Sequence, residues 1–174
     1  MRGSKNFLFW NSQAITVKSN VLFKVAIYFF YAVPLVFVSY LYLMALHAQQ
    51  TFFTPVILEP IITIMFVIAM LNPFFAVLTK AAVNDLESKK HVKLSYMTLW
   101  MVAVSQLLIG NLFASAILLF GLHQQRKEQP MLVKAKKIEL KYKGAYVRLF
   151  GSTLVFFLSI VCLFLLIKIH LNNE

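Results

Sequence analysis

The chain carries six carboxylates, Glu59, Asp85, Glu87, Glu128, Glu139 and Glu174, and each lies at the edge of an apolar run or in a connection. General acid–base chemistry needs titratable groups converging on one reacting centre, and no carboxylate pair shares an apolar run. There is no His-Glu-x-x-His zinc motif, no glycine-rich phosphate loop and no serine elbow. Two polar clusters remain: His47, Gln49, Gln50 and Glu59 in one connection, and His123, Gln124 and Gln125 in another. A histidine and an acid at a membrane surface can act on a lipid substrate, but without a motif the expectation is wet polar residues. The lone Cys162 sits in an apolar run, which leaves no disulfide framework and no cysteine metal site. The expectation is a protein that is not an enzyme, with no cofactor and no metal centre.

Inside the apolar runs, Asn72, Gln106 and Asn111 stand out. Polar groups at membrane depth need a partner and often mark a solute pathway. Asn72 precedes Pro73, and Pro34 interrupts an earlier run. Proline removes a helical hydrogen bond and kinks the helix, which can expose backbone groups to a solute.

The elements that would position these residues follow from composition. Of 174 residues, 60% are hydrophobic and 13% charged, with a mean hydropathy of +0.76. Soluble domains are about 45–50% apolar and about 25% charged, so a bilayer is the solvent this chain fits. We expect an all-α polytopic membrane protein forming one membrane domain over 1–174. Its four spans fall at about 21–46, 60–79, 94–122 and 149–167, and a basic amphipathic segment covers 131–148. Phe7 to Trp10 lead into the first span as an interfacial anchor.

A stripe of small residues marks the third span. Ala103, Gly110, Ala114 and Gly121 return to within about 40° on a helix, with Gln106 beside them. Such a stripe lets another helix approach closely, either inside the chain or on a partner. Downstream, His123–Arg148 holds eight of the seventeen basic residues. On a helical wheel, Lys134, Lys137, Lys141 and Arg148 flank an apolar stripe on one side, with Lys136 and Lys143 on the other. Cations so placed snorkel beside a buried face and would meet anionic headgroups or an acidic partner. Nucleic acid is not expected, because that needs a basic face on a folded soluble domain.

Sidedness is balanced. Four Lys or Arg precede or open the first span, none lies in the first connection, four lie in the second, eight in the third and one at the C-terminus. Four full crossings put nine on one side and eight on the other, which leaves the positive-inside preference nearly silent. If 94–122 entered and left on one side, the total there would be sixteen, with a turn at Gly110-Asn111. The small-residue stripe keeps its phase across Gly110 and favours one unbroken helix. The expectation is therefore four spans in a bacterial cell membrane, with the N-terminus cytoplasmic and 123–148 across the bilayer from it.

Three functions fit. The leading one is an accessory or regulatory subunit bound through its helices to another membrane protein or to itself. The second is a small transporter or channel component using Asn72, Gln106 and Asn111. The third is self-protection against a membrane-active peptide.

Overall fold

The computed structural model describes the backbone of residues 3–49, 51–88, 91–128 and 143–172, and the side chains of 21–49, 51–88, 91–128 and 144–172. Regular structure among these residues is helical: α1 Gly3–His47, α2 Thr54–Leu58, α3 Pro60–Glu87, α4 Val92–Leu108, α5 Leu112–Glu128 and α6 Lys143–Asn172. Three helical stretches, Val21–His47, Pro60–Glu87 and Gly144–Asn172, have 27, 28 and 29 residues and few charges. A hydrocarbon core about 30 Å thick needs about 20 such residues, so all three are long and apolar enough to cross a membrane. Val92–Leu108 is apolar but shorter, at 17 residues.

Prolines set several boundaries. Pro55 and Pro60 open α2 and α3, where a missing N–H costs least. Glu59, held out of the helical region by the proline after it, is extended at φ −110° and ψ 108°. The first connection is thus a loop with a short helix in it, packed on α3 and α1. Pro34 and Pro73 lie inside helices that continue through them.

The expected third span is not one helix. The chain breaks at Ile109–Asn111, between α4 and α5, and Gly110 takes φ +80°. The Asn111 N–H bonds the Gln106 carbonyl at 2.8 Å, and the Gly110 N–H bonds the Leu107 carbonyl at 3.1 Å. These are the two bonds of a Schellman stop, with glycine at the left-handed position. Asn111 then caps α5: its Oδ1 accepts from the Ala114 N–H at 3.3 Å. Glycine followed by asparagine therefore ends one helix and starts the next, and this local chemistry overrides the phase of the small-residue stripe.

Side-chain contacts fix the helix directions. Phe30 stacks near Phe75 and Phe37 near Phe66, so α1 and α3 are antiparallel. Phe29 meets Phe113 and Gly121 lies against Phe23, so α5 is also antiparallel to α1. Asp85, ten residues or about 15 Å past Phe75, lies at the Phe23 end of the bundle. Arg148 bonds both Asp85, at 2.8 Å, and Ser95, at 3.2 Å, which brings the starts of α4 and α6 to that same end. Thus α4 rises from the end to which α5 returns, and the two pack along each other as a hairpin. Glu128 and Lys143, which flank the third connection, fall at the same end as Glu87 and Val92, which flank the second, not opposite them as expected. Residues 129–142, most of the basic amphipathic segment, lie outside the described residues.

The core is a ring in which α1 packs on α3, α3 on α4, α4 on α5 and α5 back on α1, with α6 against α3 and α4. Phe23, Phe30, Phe75, Leu99 and Leu118 are fully buried at its centre.

Candidate functional site

The hairpin tip gathers two of the three polar residues expected to line a pathway. Asn111 Nδ2 donates to Gln106 Oε1 at 2.7 Å, while Asn111 Oδ1 is held by the α5 backbone. That network fixes both amides, because the Asn111 oxygen is already the acceptor at the cap. Gln106 Nε2 is left facing away, buried and without a hydrogen-bond partner. Gly110 is exposed, with nothing within 4 Å of where a Cβ would stand. The apolar part of α5, Leu112–Leu122, is about 16 Å long. That length is about half a hydrocarbon thickness.

Asn72, the third expected pathway residue, is buried on α3. Its Nδ2 donates to the Ile68 carbonyl at 2.9 Å, one residue before the Ala69 carbonyl that Pro73 deprives of a donor. Its Oδ1 has no partner.

Among the described residues, three hydroxyls share that condition: Thr79, Thr98 and Ser115 are buried and unpartnered. A helical Ser or Thr usually satisfies itself on the carbonyl four residues back, as Ser105 does on Met101 and Ser159 on Val155. Sequence reading passed over these three. The signal was spacing: Thr79 is seven residues from Asn72, and Ser105 seven from Thr98, two turns along one face.

The two polar clusters lie far apart. His47 and His123 fall at opposite ends, since His123 is two residues from Gly121 and Gly121 meets Phe23. From Phe23 to His47 is 24 residues, about 36 Å of helix. No group of three His, Cys, Asp or Glu side chains able to hold a metal occurs among the described residues.

The small-residue stripe is spent within the chain. Ala103, Gln106 and Ala114 are buried, and Gly121 is packed under the Phe23 ring, where a Cβ would stand 2.7 Å from Cε1. Only Gly110 faces outward. Arg148, expected to meet lipid or an acidic partner, finds its acid in the chain's own Asp85. Lys134, Lys136, Lys137 and Lys141 lie outside the described residues, and Lys143 opens α6.

Beside the tip, Phe29, Ala32, Val33, Val36, Phe37 and Tyr40 line an open apolar recess of about 540 Å³ on α1. Comparison with protein-family models, with curated proteins and with solved structures finds no match to this chain.

Proposed function

We propose that the chain is a small multi-pass protein of the bacterial cell membrane that works as a transporter or channel component, with its polar pathway at the hairpin tip. In this reading α1, α3 and α6 cross the bilayer, while α4 and α5 enter and leave on the cytoplasmic face. Sixteen of the seventeen Lys and Arg are then cytoplasmic and Lys168 is opposite. That agrees with the positive-inside preference, which four full crossings leave undecided. The N-terminus is cytoplasmic, and the basic segment 131–148 lies as an amphipathic helix on that leaflet. There each cation near anionic lipid contributes about 1 kcal/mol.

The observation that carries the functional part is the break at Ile109–Asn111, next to the unpartnered Gln106 Nε2. Irregular backbone at membrane depth persists where protein buries it or where it lines a watered cavity. Half-helix ends near the midplane present backbone groups to solutes in carriers. The unpartnered groups of Asn72, Thr79, Thr98, Gln106 and Ser115 would each cost about 1–3 kcal/mol if kept dry. A polar solute or a file of water satisfies them. None of the six carboxylates lies within an apolar run of the sequence, so a neutral polar solute fits better than a coupled cation.

The accessory-subunit reading has one observation in its favour, the apolar recess on α1, which a partner helix could fill. It loses the small-residue stripe, which internal packing uses. Self-protection against a peptide gains no residue-level support.

The test is made on purified full-length protein in vesicles. Water access is read by placing cysteine at Ser115 or Thr79 in a Cys162→Ser background and adding a small thiosulfonate reagent. The pathway reading predicts modification at both positions and none at Leu118→Cys. It also predicts glycerol- or urea-driven swelling faster than in protein-free vesicles, slowed by Gln106→Leu. Unreactive cysteines without swelling, together with a stoichiometric membrane partner on purification, would shift the assignment to an accessory subunit.

A further inference from the structure

At the basic end of the bundle, on the cleft between α1 and α3, the two helices converge in a pattern that internal packing does not require. Lys24, Ile27, Tyr28 and Tyr31 on α1 face Lys80, Val83, Asn84 and Glu87 on α3 across an open cleft of about 300 Å³. Both sets follow the i, i+3, i+4, i+7 spacing of one helical stripe, so the cleft is lined along two full turns of each helix. A lone lysine near a membrane helix end is explained by snorkelling. Two lysines brought into one cleft from neighbouring helices are different, because like charges repel unless something negative is shared between them. Of the two nearby acids, Asp85 is taken by Arg148, and Glu87, which lines the cleft, offsets only one of the two lysine charges. Neither Lys24 nor Lys80 forms an ion pair among the described residues, and both are exposed.

We propose that this cleft binds the headgroup of an anionic phospholipid that carries free hydroxyls, of the phosphatidylglycerol type. The two ammonium groups take the phosphate diester, and Asn84 offers an amide donor beside them. Glu87 accepts from a headgroup hydroxyl, and beside this carboxylate a singly charged diester is favoured over doubly charged hydrogen phosphate. Charge balances: two lysines and one glutamate leave the cleft at +1, and the headgroup carries one negative charge. The buried Val83 and the exposed Tyr28 give the glycerol backbone and first acyl carbons an apolar wall. At this end of α1 and α3 the cleft lies at headgroup depth in the proposed membrane arrangement. The inference concerns a site apart from the hairpin tip and stands whether or not that tip conducts.

Native mass spectrometry of the full-length protein, released from mild detergent and titrated with defined lipids, tests it. Dioleoyl phosphatidylglycerol should give one bound lipid that survives collisional activation, where phosphatidylcholine and phosphatidylethanolamine give none. Lys24→Gln with Lys80→Gln should abolish that adduct, and Lys24→Arg with Lys80→Arg should keep it. Lys134→Gln, Lys137→Gln and Lys141→Gln together should leave it in place, which separates the cleft from the basic segment. Excess inorganic phosphate should not displace it. Displacement by phosphate would make the cleft a free-anion site, and equal retention of phosphatidylcholine, or survival of the adduct in the double Gln variant, would overturn the proposal. The Arg variant guards against misfolding as the cause of loss, since it keeps the charge on the same scaffold.

Discussion

The Arg148 guanidinium lies 2.8 Å from Asp85 Oδ2, with both side chains largely buried at 12% and 22% exposure. This contact joins the end of α3 to the start of α6, and Ser95 on α4 takes a second bond from the same nitrogen. One arginine thereby places three helix ends together, the end of α3 and the starts of α4 and α6, at one end of the bundle. Charge-assisted bonds of this kind are stronger than neutral ones, and losing one partner leaves the other desolvated.

Arg148→Gln and Asp85→Asn should each destabilise the protein by about 1–3 kcal/mol. Combining Asp85→Arg with Arg148→Asp should recover part of the loss. Unfolding in mixed micelles measures it, and additive losses in the swapped pair would mean the contact contributes little.

Gly110 should resist substitution for conformational reasons alone. No neighbour stands within 4 Å of its would-be Cβ, but φ +80° costs an ordinary L-residue about 1–2 kcal/mol. Gly110→Ala should show that loss and Gly110→Asn less, because asparagine tolerates the left-handed region. The same unfolding series reads both, and equal losses would argue against a left-handed turn.

Gly121 should resist for the opposite reason. A Cβ there would sit 2.7 and 2.9 Å from the Phe23 ring, and overpacking of a tight contact costs about 1–3 kcal/mol. Phe23→Leu should relieve much of the Gly121→Ala loss. A double-mutant cycle measures the coupling, and a coupling energy of zero would place Gly121 away from Phe23.

Asn111→Ala should cost about 1 kcal/mol through the lost helix cap, whereas Asn111→Ser keeps a cap oxygen. Both remove the bond to Gln106, so the solute-swelling rate should change in each while stability falls in only one. Parallel loss of both properties would reduce Asn111 to a structural role.

Much of this architecture is legible in the sequence. The long apolar helices and their interfacial lysines follow from hydropathy, and Gln106 and Asn111 stood out as polar groups in an apolar layer, though not as each other's partners. The turn was legible as well, since glycine then asparagine is a stop followed by a start. The in-phase stripe of Ala103, Gly110, Ala114 and Gly121 hid it, because the same small residues serve a hairpin closing on itself and a straight helix. What sequence could not supply was long-range pairing. Nothing local in Asp85 or Arg148 says that each is the other's partner, and only that pairing brings the connections together. The unpartnered hydroxyls of Thr79, Thr98 and Ser115 were illegible for a similar reason, since back-bonded and free hydroxyls read alike in a sequence.

Membrane sidedness tests the whole account most directly. Single cysteines at Ala48, Ser88, Lys127 and Asn172, each in a Cys162→Ser background, are probed in intact cells with a membrane-impermeant thiol reagent. With three crossings and a re-entrant hairpin, Ala48 and Asn172 should label at once. Ser88 and Lys127 should stay protected until the membrane is opened. Labelling of Ala48 and Lys127 with protection of Ser88 and Asn172 would establish four full crossings and contradict the account.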